Sequence, residues 1–168
     1  MKKVTLRFVT TISVFLAISV GACHNPRIQN LPALSAEQHA YWMNGKAEVS
    51  RYTLTQARYG NLNKGDMILV MVTEPFKTVK HVKSELNVGV DDQLVMKAQT
   101  MRKFVTGIYD YTMTTTSFKP VANGEKSIKI NGSSVEWCGQ TFFQLNRFDD
   151  TYKVLSRSYF ESESDDDF

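Results

Sequence analysis

From Ala47 onward the chain reads as runs of β-forming residues separated by turn residues. Ala47 to Tyr59 is rich in the β-branched and aromatic side chains that suit a pleated, half-buried surface. Asn61 to Gly65 predicts a turn, and Met67 to Val72 is an unbroken apolar run with the length of a buried strand. Thr78 to Leu86 predicts a weaker, lysine-bearing strand, and Leu94 to Ala98 another. In Lys103 to Phe118, Tyr109, Tyr111 and Met113 alternate with Ile108, Asp110, Thr112 and Thr114. A long Thr-rich strand of this kind suits a sheet with one wet face.

The strongest local signal is KSIKINGSSVEW. Asn131-Gly132 is a favoured pair for a two-residue type I′ hairpin. That turn sets Ile130 against Ser133, Ile128 against Val135 and Lys126 against Trp137, and it puts Ile128, Val135 and Trp137 on one face. Gln140 to Asn146 continues as a strand, Asp149-Asp150 predicts a turn, and Tyr152 to Phe160 returns. Ahead of these strands, Ser35-Ala36-Glu37-Gln38 is a capping box, and Asn44-Gly45 closes a helix of about two turns. The pattern predicts a mainly β fold: a single antiparallel sheet, curved or partly closed, of about eight strands with one short N-terminal helix. The domain is expected over residues 35–160, with an acidic, disordered tail ESESDDDF at 161–168.

The amino-terminal pattern differs from all of this. Lys2, Lys3 and Arg7 form a basic opening, Phe8 to Val20 is apolar apart from Thr and Ser, and Val20-Gly21-Ala22 precedes Cys23. This is the layout of a secretory signal over residues 1–22, too short to span a membrane. Small residues directly before Cys23 resemble the lipobox of bacterial lipoproteins. That resemblance implies cleavage before Cys23 and attachment of two or three acyl chains, palmitate among them, which hold a protein to a membrane far better than one chain does. Residues 23–34, with Pro26 and Pro32, read as a tether. His24 in place of Asp after Cys23 favours, by resemblance to the known sorting rule, the periplasmic leaflet of the outer membrane.

Charge and cysteine usage narrow the picture. The 168 residues carry 20 Lys and Arg against 17 Asp and Glu. Loss of Lys2, Lys3 and Arg7 with the signal makes the remainder neutral, and the acids at 161, 163 and 165–167 leave the body mildly basic. The basic residues are too scattered for a nucleic-acid surface. With Cys23 lipidated, Cys138 has no partner in the chain, which excludes a disulfide framework.

Candidate chemistry is sparse. His24, His39 and His81 are scattered and match no metal-ligand spacing, so no metal or cofactor is expected. There is no Gly-rich phosphate loop, no G-x-S-x-G and no Rossmann fingerprint. Glu136-Trp137-Cys138-Gly139-Gln140 is the most unusual cluster. A nucleophilic Cys138 needs a base, and His81 is the residue that could approach it in space. The favoured reading is a buried, inert Cys138 beside a core Trp137, lying beneath the Tyr41-Trp42-Met43 helix on the opposite face of the sheet.

The segments YWMNGKAEVSRYTLTQARYG, VMVTEPF, RKFVTGIYDYTMTTTSFKPV, VEWCGQTFFQLN and SYFESE resemble a family of lipoproteins from Bacteroidetes-type bacteria, over nearly all of residues 41–163. Some members carry the label "septum formation inhibitor Maf". The Ser-x-Ser-Pro-Arg-Arg start and Glu-x-Arg-Pro segment of the Maf nucleotide pyrophosphatases are absent here, so that activity ranks last. The resemblance also implies a longer chain, continuing past the SYFESE segment. The expected function is therefore that of a non-enzymatic, lipid-anchored envelope module. It would bind an envelope protein or an amphiphilic ligand on a concave sheet, with Tyr109, Tyr111, Trp137 and Phe142 facing the ligand. The alternative is an envelope hydrolase or transferase using Cys138 or residues of a missing second half.

Overall fold

The computed structural model of the chain describes residues 34–85, 89–90, 92–121 and 126–168. The signal, Cys23 and most of the tether lie outside them. Helix α1 spans Ala36–Trp42, and Ser35 and Gln38 cap it reciprocally, Gln38 N donating to Ser35 Oγ and Ser35 N to Gln38 Oε1. The strands are β1 (Glu48–Arg58), β2 (Asn61–Lys77), β3 (Val82–Lys83), β4 (Asp92–Thr106), β5 (Tyr109–Pro120), β6 (Lys129–Glu136), β7 (Gly139–Phe148), β8 (Thr151–Ser158) and β9 (Asp166–Asp167). They form one open antiparallel sheet in the order β1-β2-β4-β5-β6-β7-β8-β9, with β3 paired to β2. The expected fold class is the observed one: mainly β, one antiparallel sheet, one short helix.

The turns depart from expectation in three places. The first reversal is at Tyr59-Gly60, with φ of 50° and 76°, both in the left-handed region that a type I′ turn requires. Asn61 to Gly65 is instead the start of β2, paired with β1. Second, Lys103 to Phe118 is not one strand. It turns at Gly107-Ile108, where Gly107 has φ 62° and Thr106 pairs with Tyr109. Third, Asn131-Gly132 is no hairpin. Both residues lie inside β6, paired with Thr116 and Thr115 on one side and Gln144 and Phe143 on the other. The reversal comes later, at Trp137-Cys138, between the paired residues Glu136 and Gly139. Ile128 thus does not face Val135. A local turn preference is weak beside two full ladders of cross-strand bonds. The turn at Asp149-Asp150 is where it was expected, while Thr78 to His81 is a turn; among the described residues of the predicted weak strand Val82–Lys83 form β3, Ser84 N donates to Pro75 O, and Leu86 lies outside the described residues. The acidic end, expected to be disordered, folds back so that Asp166–Asp167 pair with Ser156 and Leu155.

Alternation assigns the side chains to two faces. One carries Leu54, Leu69, Met113, Ile130, Phe143 and Leu145, all half-buried. Close to the β1–β2 hairpin this face holds Phe104 stacked on Tyr111 at 5.0 Å, with the Tyr59 and Tyr111 hydroxyls 2.8 Å apart. The hairpin therefore curls over the sheet here. The other face is Thr- and Ser-rich across its middle, with Thr112, Thr114 and Ser133. At one end of it Phe76, Val95 and Ile128 form the core cluster, with Phe118 packed against them. The segment after β2 straps over that cluster. His81 Nε2 meets Arg147 O at 2.8 Å, Lys129 Nζ donates to His81 O at 3.1 Å, and the His81 ring lies 4.8 Å from Phe148.

Candidate functional site

The other end of the Thr-rich face opens into a depression of about 630 Å³. Its floor is Val135, Gln140 and Phe142; Trp137 and Tyr159 rise at its rim, and Arg157 supplies the cationic group. The β6–β7 hairpin and β8 build it together. Phe142 is paired with Arg157 across the β7–β8 ladder, and Gly139 leaves room for Tyr159, whose Cδ1 would stand 2.5 Å from a Cβ at that position.

Arg157 is held by the acidic end. Its Nη1 and Nη2 donate to Asp167 Oδ1 and Oδ2 at 2.7 and 3.0 Å. The hydrogen bond from Arg157 draws the Asp167 carboxyl below the usual carboxylate range, and the same bond raises the guanidinium. Asp165 reaches Arg157 at 4.0 Å and also lines the depression.

The residues expected to face a ligand divide. Trp137 and Phe142 share the depression. Tyr109 touches Trp137 edge-on, with ring centroids 5.7 Å apart, from outside it. Tyr111 is on the opposite face, 2% exposed and packed on Phe104; it belongs to the packing beneath the first hairpin. Trp137 is 64% exposed, so its expected place in the core is corrected: the turn residue of a hairpin has no second layer over it. Cys138 is exposed as well, not buried beneath α1. The helix lies elsewhere, with Trp42 O accepting a hydrogen bond from Thr73 Oγ1 of β2.

The thiol has no base beside it among the described hydrogen bonds; Glu136 Oε2 accepts from the Cys138 backbone N at 3.0 Å. His81 is held at Arg147, eight residues along β7 from Gly139, about 26 Å away at ~3.3 Å per strand residue. The proposed Cys138–His81 approach does not occur. Among the described residues no group of three or more His, Cys, Asp or Glu side chains could hold a metal ion.

Gln140 belongs to the Glu136–Gln140 cluster that stands out in the sequence, whereas Arg157 and Tyr159 were not singled out from it. The signal for Arg157 was present: counting back from the two-residue turn at Asp149-Asp150 pairs Phe142 with Arg157. The fold class is an open, single-layer antiparallel sheet with an aromatic depression at one hairpin end. No protein-family profile, curated protein or solved structure matches this chain.

Proposed function

We propose that this is a non-enzymatic, lipid-anchored module of the bacterial cell envelope that binds an anionic amphiphile in the Trp137–Phe142 depression. The observation that carries the reading is the pairing of an apolar aromatic wall with one guanidinium: Trp137, Phe142 and Tyr159 beside Arg157. An alkyl or aromatic body lies against the rings, and a carboxylate or phosphate takes Arg157 in place of Asp167. The signal at residues 1–22 and Cys23 support the location, with the anchor in the periplasmic leaflet of the outer membrane.

Two measurements test it. In a Trp42→Phe variant, Trp137 is the sole tryptophan. Dodecanoate titrated below its micelle concentration should shift its emission to the blue, and Arg157→Gln should weaken the response about tenfold. An unchanged spectrum at millimolar dodecanoate rejects the ligand. Cys23→Ser should move the protein from the membrane to the soluble fraction; retention in the membrane rejects the anchor.

A second reading, a hydrolase or transferase using Cys138, draws on the exposure of that thiol. Nucleophilic catalysis also needs an activating group within hydrogen-bond reach. Loss of a detected hydrolytic activity in Cys138→Ala would favour it.

A further inference from the structure

We infer that β1 is a self-complementary edge through which two copies of this chain pair antiparallel, joining their sheets into one. This inference is independent of the ligand and of the anchor.

The two edges of the sheet are treated differently. At the far edge, β8 is partly covered by β9, and the acids of that segment hold Arg157. Charged, short edge segments of this kind discourage further strand addition. At the near edge, among the described residues, no strand lies beyond β1. It is 11 residues long, EVSRYTLTQAR, with no proline and no lysine. Its register against β2 runs from Glu48↔Met71 to Arg58↔Asn61 without a bulge. Proline, lysine and a bulge are thus absent from this edge, and its charges are Glu48, Arg51 and Arg58.

The hydrogen-bonding direction of each residue follows from the hairpin. In a two-residue type I′ turn at Tyr59-Gly60, the flanking pair Arg58↔Asn61 is the bonded one. Alternation then points the backbone groups of residues 48, 50, 52, 54, 56 and 58 toward β2. Those of Val49, Arg51, Thr53, Thr55 and Ala57 point outward. The Ala57 carbonyl takes the Gln56 side chain at 3.2 Å, an exposed contact that a partner strand can replace.

Two such edges can pair antiparallel only in registers that set outward residues against outward residues. Centring on Thr53 uses all five outward residues, for about ten backbone hydrogen bonds. It also places Glu48 opposite the partner's Arg58, twice by symmetry, and Tyr52 opposite the partner's Leu54. These pairs fall at the non-bonded positions, where cross-strand side chains approach most closely. Centring on Arg51 instead opposes two arginines. Centring on Tyr52 or Leu54 leaves Arg58 without the carboxylate and shortens the ladder. The Thr53 register is the one that satisfies backbone and charge together. It is also isologous, as a two-fold dimer requires.

The test is sedimentation velocity on the purified chain carrying Cys23→Ser, kept reduced so that Cys138 cannot link copies. A dimer is expected at tens of micromolar. Thr53→Pro removes only an outward N–H, at an edge position where proline is tolerated, and should raise the dimer dissociation constant at least tenfold with an unchanged circular dichroism spectrum. Glu48→Arg and Arg58→Glu should each weaken the dimer about tenfold, and the double exchange should restore it to within about threefold. A chain that stays monomeric at several hundred micromolar overturns the inference, as does a dimer indifferent to Thr53→Pro. If Thr53→Pro fails to fold, the charge exchange decides: single reversals without effect, or no rescue in the double exchange, overturn it.

Discussion

Phe143 lies across the bare α-carbon of Gly132, its direct partner in the β6–β7 ladder: a Cβ on Gly132 would stand 2.5 Å from Phe143 Cε1 and 2.9 Å from the Thr114 carbonyl oxygen. Gly132 is not among the glycines with positive φ, so its backbone is open to any residue and only the ring and the carbonyl exclude one. This pair replaces the hairpin that Asn131-Gly132 predicts. An aromatic ring over a strand glycine covers the gap that the missing side chain leaves.

Gly132→Ala should therefore cost about 1–3 kcal/mol, the range for overpacking. Phe143→Ala removes two of the three clashing atoms, so the double variant should be more stable than the sum of the single losses predicts, by at least about 0.5 kcal/mol. Urea denaturation of the four proteins measures this. Strict additivity would mean that the ring does not rest on Gly132.

Phe76 and Trp137 should respond very unequally to truncation. Phe76 is 1% exposed in the core cluster with Val95 and Ile128, and Phe76→Ala should cost about 3–5 kcal/mol. Trp137 is in a turn with most of its surface in water, and Trp137→Ala should cost under about 1 kcal/mol. Equal losses in chemical denaturation would place Trp137 back in a core.

Asp92, at the start of β4, holds Ser84 and Gly89. Its carboxylate accepts from Ser84 Oγ and from Gly89 N, the latter at 3.0 Å, and Lys77 lies 3.4 Å away. The Ser84 hydroxyl first, then the Gly89 amide, hold its pKa below the usual carboxylate range. A depressed acid contributes stability that is present above its unfolded value, about 4, and is lost as pH falls through the folded one. Amide exchange at Gly89, corrected for intrinsic rate, should be flat from pH 7 to 5 and accelerate more than about tenfold on further acidification. Asp92→Asn should remove the transition; a transition that persists in that variant assigns it elsewhere.

Cys138 should react quickly. With the thiol exposed in a two-residue turn, a Cys23→Ser chain should take up about one equivalent of an aromatic disulfide reagent without denaturant, at a rate near that of a free model thiol. Labelling that needs denaturant would mean that the β6–β7 turn is covered in solution.

Much of the fold was readable along the chain because it rests on local terms. The capping box at Ser35 and Gln38 completes itself within one turn of helix. Clusters of β-branched and aromatic residues mark several of the strands, β5 most densely, and Asp149-Asp150 marks a reversal. An antiparallel meander joins neighbours in sequence, so strand existence nearly dictates strand order. The candidate site was legible in part: Trp137 and Phe142 stand out by residue type, whereas Arg157 does so only once the β7–β8 register is counted out.

Register and layering were decided by the assembled sheet. Asn131-Gly132 carries a strong local turn preference, yet making the turn there would forfeit the pairing of β6 with β5 and of its first half with β7. Moving the reversal to Trp137-Cys138 keeps both ladders and puts the indole and the thiol at an exposed tip. Whether a face is covered depends on what else packs there. Residue pattern carries no record of that: Tyr111 is buried because the β1–β2 hairpin curls over it, and Cys138 is open because α1 sits by Thr73. Periodicity encodes which side chains share a face; only the packing of the whole chain decides which of those faces meets water.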